Sequence, residues 1–169
     1  VKNRFQTRRN GQVHNLVTVN TWVDFYLPSD DDDSREGAGD LGTNITFDPR
    51  ENLSFESDVI VDLDENELNI FSLTAKVGDP DKLQYTLNYL YRNEFSSDNL
   101  YSNASTVYNS VYTSSFSRFY EERHALTAGA RYRLWYDNFL SFRATYDLEE
   151  KEFVRYMVEL QRRLHAWTG

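Results

Sequence analysis

Cysteine is absent from this chain, and its absence removes disulfides, thiol nucleophiles and thiolate metal ligands together. It leaves the compartment open, because cysteine-free chains occur in oxidising and reducing places alike. A basic surplus is also missing. Eighteen Lys and Arg stand against 27 Asp and Glu, for a formal net charge of -9. The sequence pI is about 4.8. Such a chain has no surplus of cations to displace the counterions of a polyphosphate backbone, which argues against nucleic acid as a partner. No apolar run approaches the roughly 18 residues of a membrane helix, and the mean hydropathy is -0.68. No signal peptide is visible, and Val1 stands where an initiator methionine would. The chain is therefore expected to be a piece of a longer one.

What the chain does hold is aromatic and charged. Twelve Tyr, eleven Phe and three Trp make 15% of it, beside only seven Gly and three Pro, while 27% is charged. High aromatic and charged content at low mean hydropathy suits a structure with one apolar and one wet face. A transmembrane β-barrel is built that way, and a water-soluble antiparallel sheet shares the signal.

Alternation runs through nearly the whole sequence. Leu53, Phe55, Val59, Val61 and Leu63 share one face, with Ser54, Glu56, Asp58 and Asp62 on the other. After a polar turn at Asp64, Glu65, Asn66 and Glu67, Phe71, Leu73, Ala75 and Val77 alternate with Ser72, Thr74 and Lys76. Gly78 to Lys82 (GDPDK) punctuates the next turn. Leu83, Tyr85, Leu87, Tyr89 and Tyr91 follow, against Gln84, Thr86, Asn88 and Arg92. Further strands are predicted over residues 108–120, 126–136 and 140–148, with turns at EER (121–123), YDN (136–138) and LEEKE (148–152). Upstream, a strand over residues 17–27 is preceded by VKNRFQTRR, joined through Asn10-Gly11, a strong two-residue hairpin signal. Residues 43–47 form a shorter candidate.

The final stretch, EFVRYMVELQRRLHAWTG, fits two periods. Phe153, Met157, Leu160 and Leu164 recur at helical steps, whereas Val154, Tyr156, Val158, Leu160 and Leu164 fall on every second position. After nine hairpin-linked strands a lone helix has no face left to cover, so a strand is expected. The prediction is then about ten strands of roughly the 9–11 residues that cross a bilayer when tilted. They form an all-β, antiparallel transmembrane β-barrel wall, a single partial barrel domain over residues 1–169.

Alternation does not by itself separate a soluble sheet from a membrane barrel. Strand length and aromatics at strand ends (Phe25, Tyr26, Tyr89, Tyr91, Phe119, Tyr120, Trp135, Tyr136, Trp167) favour the membrane. On that reading Leu126, Ala128, Ala130, Leu134, Phe142, Ala144, Tyr146, Val154, Tyr156 and Val158 are expected to face lipid. Arg131, Arg133, Arg143 and Asp147 are expected to face the lumen.

VKNRFQTRR, NLVTVNTWVDFYLPSDDDD, YRLWYDNFLSFRATYDLEEKEFVRYMVEL and the ending RRLHAWTG resemble the C-terminal barrel portion of one family. It comprises the lipopolysaccharide-assembly outer-membrane proteins of the LptD or organic-solvent-tolerance type. The likeness spans most of the chain. It implies a wall of the Gram-negative outer membrane that takes part in lipopolysaccharide transport into the outer leaflet. The bilayer and lipopolysaccharide are then the partners, with a plug lipoprotein inside the barrel and a β-jellyroll N-terminal to this piece. Two departures stand out: many members link jellyroll and barrel through cysteines, absent here, and about ten strands are too few to enclose a plug. The alternatives are a passive porin-like channel barrel and a soluble antiparallel β protein with a binding or structural role. Ten strands also create a conflict of sidedness. With the C-terminus in the periplasm, the long connections at residues 28–40 and 95–107 fall on the periplasmic side, whereas barrels carry long loops outside.

No enzyme is expected, and no cofactor. The acidic run Asp30, Asp31, Asp32 and Asp33, with Glu36 and Asp40, offers oxygen ligands to calcium but lacks an EF-hand order, so it reads as a solvated loop. His14, His124 and His165 have no metal-pair spacing. His124 with Glu121 or Glu122 could serve a rim protease, yet nothing marks a nucleophile or an activated water. Arg131, Arg133, Arg143, Arg155 and Arg163 lie on the polar faces of three consecutive strands. They read either as an inner ladder for anionic headgroups or a plug, or as cross-strand partners of Asp147 and Glu159. The Asn-x-Ser/Thr sites at Asn44, Asn52 and Asn103 carry little meaning without a eukaryotic secretory context.

Overall fold

The computed structural model describes residues 1–9, 11–26, 37–93, 124–135 and 138–162. They form one antiparallel sheet of nine strands, each paired with its chain neighbours. The strands are β1 (Lys2–Arg9), β2 (Gln12–Tyr26), β3 (Gly37–Arg50), β4 (Leu53–Asp62) and β5 (Glu67–Asp79), then β6 (Leu83–Arg92), β7 (His124–Arg133), β8 (Asn138–Asp147) and β9 (Glu152–Arg162). No helix occurs among the described residues. The ambiguous final stretch is a strand: β9 pairs with β8 from Asn138↔Arg162 to Asp147↔Glu152. The sheet is not closed, because β1 and β9 are its two edges.

The strand predicted over residues 108–120 lies outside the described residues. It does not stand between β6 and β7 in the sheet, because these two pair directly, from Leu83↔Tyr132 to Tyr91↔His124. The short candidate at residues 43–47 is the middle of a 14-residue strand, whose glycines had masked its length.

The count of nine reverses the sidedness. The connections at 10–11, 51–52, 80–82 and 134–137 are short and lie at one end of the sheet, the turn end. Those at 27–36, 63–66, 94–123 and 148–151 lie at the other, the loop end, which holds both long ones. β9 runs from the loop end to the turn end. Arg162 therefore lies opposite the long connections, and the conflict of sidedness disappears.

Local chemistry explains the hairpins. Gly11 has φ 81, as the primed turns of two-residue hairpins require. Gly78 has φ 110 and its α-carbon lies so close to the Leu83 carbonyl oxygen that no Cβ fits. Bulges interrupt the register between Phe5 and Gln6, between Ile60 and Val61, and between Thr145 and Tyr146. Each bends its strand and raises the local twist.

The sheet has no second layer of described strands, and its burial is inverted. Ile60, Ile70, Ala125 and Phe139 are the only buried apolar side chains among the described residues. Asp62, Asn69, Ser72, Thr74, Thr145 and Asp147 are buried, whereas more than twenty large apolar side chains are exposed. A water-soluble sheet hides its apolar face. This one hides its polar face, as a sheet does when it curls towards that side and crowds the side chains there.

Candidate functional site

The functional feature is the pair of faces. Following the pairing from strand to strand, one row reads Phe5, Val17, Phe47, Phe55, Ala75, Leu87, Ala128, Ala144 and Tyr156. All nine are apolar or aromatic, and Phe5, Leu87 and Tyr156 are 61%, 50% and 63% exposed. One residue along, on the other face, the row reads Arg4, Thr18, Thr46, Glu56, Thr74, Asn88, Thr127, Thr145 and Arg155. All nine are polar, and Thr74 and Thr145 are only 4% and 2% exposed. A one-residue slip anywhere would exchange the two faces, so the register is strongly specified.

The polar face is tied by hydrogen bonds along these rows. Asn20 Nδ2 donates to Asn44 Oδ1 at 3.3 Å, and Asn44 Nδ2 donates to Asp58 Oδ1 at 2.7 Å. Asn88 Nδ2 donates to Thr74 Oγ1 at 2.9 Å, and the hydroxyls of Thr127 and Thr145 are 3.0 Å apart. Lys76 Nζ donates to both carboxylate oxygens of Glu56, each at 2.8 Å, across a diagonal. Towards the loop end an apolar patch interrupts this face: Trp22 lies opposite Gly42, followed by Ile60 and Ile70. The Trp22 indole occupies the space that a Cβ on Gly42 would take.

On the apolar face Tyr85 and Tyr132 lie towards the turn end, and Phe71, Tyr89, Tyr91 and Tyr146 towards the loop end. Phe5, Phe47, Phe55 and Tyr156 share the row between, and Trp135 lies in the connection from β7 to β8. Tyr132 and His124 are eight steps apart on β7, or ~27 Å along the strand at roughly 3.4 Å per residue.

The ten residues expected to face lipid can now be placed. Leu126, Ala128, Ala130, Phe142, Ala144, Tyr146, Tyr156 and Val158 share the apolar face. Leu134 falls one residue past β7, in the connection to β8. Val154 is the extra residue of the bulge between Phe153↔Tyr146 and Arg155↔Thr145. That bulge also moves Phe153, which strict alternation had put with Met157, onto the apolar face. There it packs edge-on against Tyr146 at 5.1 Å and stacks on Tyr156 at 5.4 Å. Period-2 counting fails at a bulge because the inserted residue resets the parity. The four expected on the other side, Arg131, Arg133, Arg143 and Asp147, share the polar face with Phe139, Ser141 and Thr145.

Sequence reasoning overlooked two features. The Arg131 guanidinium carbon sits 4.2 Å from the centroid of the Phe139 ring, and Phe139 is 1% exposed. Asp62 and Asp147 anchor their turns through backbone amides. The signal was present, since residues 62–67 read DLDENE and residues 147–152 read DLEEKE.

Of the remaining candidates, those among the described residues are not brought together. Asp30 to Asp33, Glu36, Glu121, Glu122, Asn103, Arg163 and His165 lie outside the described residues. His124 hydrogen-bonds through Nδ1 to the Tyr89 hydroxyl at 3.0 Å and packs against Tyr91, on the apolar face. His14 lies on β2, opposite Thr7 of β1. Asn44 is a rung of the polar ladder and Asn52 a turn residue. Among the described residues no group of three or more His, Asp or Glu side chains is arranged to hold a metal ion. No family model matches the chain, and no curated protein matches it.

Proposed function

We propose that this sheet is a stretch of wall of an outer-membrane β-barrel. Its apolar face lies against lipid and its polar face lines a wet interior. The observation that carries the reading is the inversion of exposure. Five of the nine apolar residues in one row are exposed and none is buried, while of the nine polar residues behind them Thr74 and Thr145 are buried and Arg4 alone is exposed. In water an apolar surface of that extent is a liability; in a bilayer it is the side in contact with hydrocarbon.

Three further features support it. Eight of the nine strands have ten residues or more, enough to cross a bilayer when tilted. Tyr132 towards one end of the strands and Tyr89, Tyr91 and Tyr146 towards the other agree with interfacial girdles. Short turns at one end and long connections at the other agree with the usual orientation of such barrels, long loops outward. The open edges at β1 and β9 call for further strands, because unpaired backbone groups in hydrocarbon cost several kcal/mol each.

Within that class, the resemblance of the terminal segments favours lipopolysaccharide transport and insertion into the outer leaflet over a passive porin-like channel. The membrane reading is tested by fractionation of cells expressing the protein. Recovery in the outer membrane, resistant to carbonate and salt extraction, is expected; recovery in the soluble fraction without detergent overturns it. The cargo is tested by depletion. Lipopolysaccharide retained in the periplasm supports the transport reading, whereas unchanged lipopolysaccharide with reduced uptake of small solutes supports a channel.

A further inference from the structure

The edge strand β1 differs from the rest of the sheet in its charge. It reads KNRFQTRR, four cations and no acid, in a chain of net charge -9. Its residues alternate between the two faces. Arg4 belongs to the polar row and Phe5 to the apolar one, which puts Lys2, Arg4, Gln6 and Arg8 together on the polar face. There Gln6 Nε2 donates across the strand pair to Asn15 Oδ1 at 2.9 Å. Lys2, Arg4 and Arg8 are exposed.

These three cations meet no carboxylate on the side where β1 has a neighbour. Opposite them on β2 stand Asn20, Thr18 and Val13. The one acid of β2, Asp24, lies four residues beyond Asn20, or ~14 Å along the strand at roughly 3.4 Å per residue. No ion pair joins Lys2, Arg4 or Arg8 to another of the described residues. The other side of β1 is the open edge of the sheet. Its backbone presents unpaired N–H and C=O groups there, a template for one more strand. The opposite edge is different: β9 carries Glu152, Arg155, Glu159 and Arg162, two charges of each sign.

We infer that the β1 edge takes an antiparallel strand bearing carboxylates, with acids directly opposite Lys2, Arg4 and Arg8 and an apolar residue opposite Phe5. Unlike charges directly opposed across a strand pair stabilise it, and like charges destabilise it. Read in its own direction, such a strand has the pattern Glu-x-x-x-Glu-x-Glu or its aspartate equivalent. A second copy of this chain does not supply it. Its β1 would set cations against cations. Its β9 runs from the loop end to the turn end, as β1 does, so copies inserted alike could join these edges only in parallel. The partner is therefore a strand of other sequence, from another part of the wall. The inference rests on the wall reading, since in water an edge bearing Lys and Arg can stay unpaired.

The test is disulfide capture on the full chain in non-ionic detergent, made clean by the absence of cysteine. Asn3→Cys marks the β1 edge. The probes are two synthetic strand peptides with Cys opposite position 3, valine opposite Phe5 and threonine elsewhere. One carries Glu opposite Lys2, Arg4 and Arg8, and the other carries Lys there. Capture of the glutamate peptide is expected to exceed that of the lysine peptide about tenfold or more, by a margin that shrinks as salt is raised. Lys2→Glu, Arg4→Glu and Arg8→Glu together are expected to invert the preference, which a variant that fails to fold cannot do. Met157→Cys on β9 is expected to capture the two peptides alike. Equal capture at β1, a preference that salt does not weaken, an unchanged preference in the triple variant, or an equal preference at β9 overturns the proposal. So does an Asn3→Cys chain that dimerises with itself instead of taking the peptide. The wall reading fails by a different result, recovery in the soluble fraction without detergent, so the two failures are distinguishable.

Discussion

Asp62 and Asp147 close two distant hairpins in the same way. Asp62 Oδ1 accepts from the amides of Asp64 and Glu65 at 2.8 and 3.1 Å, and Asp147 Oδ1 accepts from those of Glu149 and Glu150 at 2.6 and 2.9 Å. In both turns the fifth residue has positive φ, 55° at Asn66 and 57° at Lys151. Both aspartates end a strand on the polar face, 3% and 4% exposed. A side-chain oxygen that accepts from the amides two and three residues on stands in for a backbone turn. Asp62→Ala and Asp147→Ala are each expected to cost about 1.5–3 kcal/mol, the worth of hydrogen bonds to a charged group. Denaturant unfolding of the single variants checks this, with Leu63→Ala at an exposed turn position as the comparison.

The same turns give a prediction of opposite sign. A lysine in the left-handed region costs roughly 1–2 kcal/mol, whereas asparagine tolerates it through its short polar side chain. Lys151→Gly is therefore expected to stabilise by a few tenths to about 1 kcal/mol, and Asn66→Gly by less. Gly78→Ala is expected to destabilise by more than either gain, because both its φ and the nearby Leu83 oxygen exclude a Cβ. Ranking the three unfolding midpoints settles the order.

Trp22 and Gly42 give a third. Alanine at position 42 must push the indole from its seat, at about 1–3 kcal/mol as in other overpacked sites. Trp22 fluorescence is expected to shift in Gly42→Ala, and Trp22→Leu is expected to make the alanine tolerable. A Gly42→Ala cost that is unaffected by Trp22→Leu contradicts this contact.

Faces were readable from the sequence because strands of ten or more residues repeat their parity often enough to fix it, as in β8, where Leu140, Phe142, Ala144 and Tyr146 oppose Ser141, Arg143, Thr145 and Asp147. What failed did so where parity carries no information. The bulge at Phe153 and Val154 resets it, and the glycines of β3 hide it. Placing residues 108–120 as a strand between β6 and β7 inverted the sidedness of every connection upstream, whereas β6 and β7 pair directly. The roles of Asp62, Asp147, Phe139 and Gly42 depend on which backbone or ring lies across the strand, and single-residue periodicity does not encode that.

Neighbouring residues on β8 predict opposite costs in the membrane. Ala144 pairs with Ala128 and Tyr156 on the apolar face, and Arg143 pairs with Gly129 and Met157 on the polar one. Ala144→Arg is expected to cost about 2–4 kcal/mol if this level is near the bilayer centre, while Arg143→Gln costs less. Unfolding in lipid vesicles reads both.

The central claim, that the apolar row meets lipid and the polar row meets water, is tested most directly by the absence of cysteine, which makes single-cysteine labelling clean. Spin labels placed by Ala75→Cys, Ala128→Cys and Ala144→Cys, and by Thr74→Cys, Thr127→Cys and Thr145→Cys, are compared in the membrane-reconstituted protein. Collision with oxygen, which concentrates in hydrocarbon, and with a water-soluble nickel chelate is measured at each. The account predicts high oxygen and low chelate accessibility at the three alanine positions and lower oxygen accessibility at the three threonine positions. Chelate access at the alanine positions equal to or above that at the threonines contradicts it.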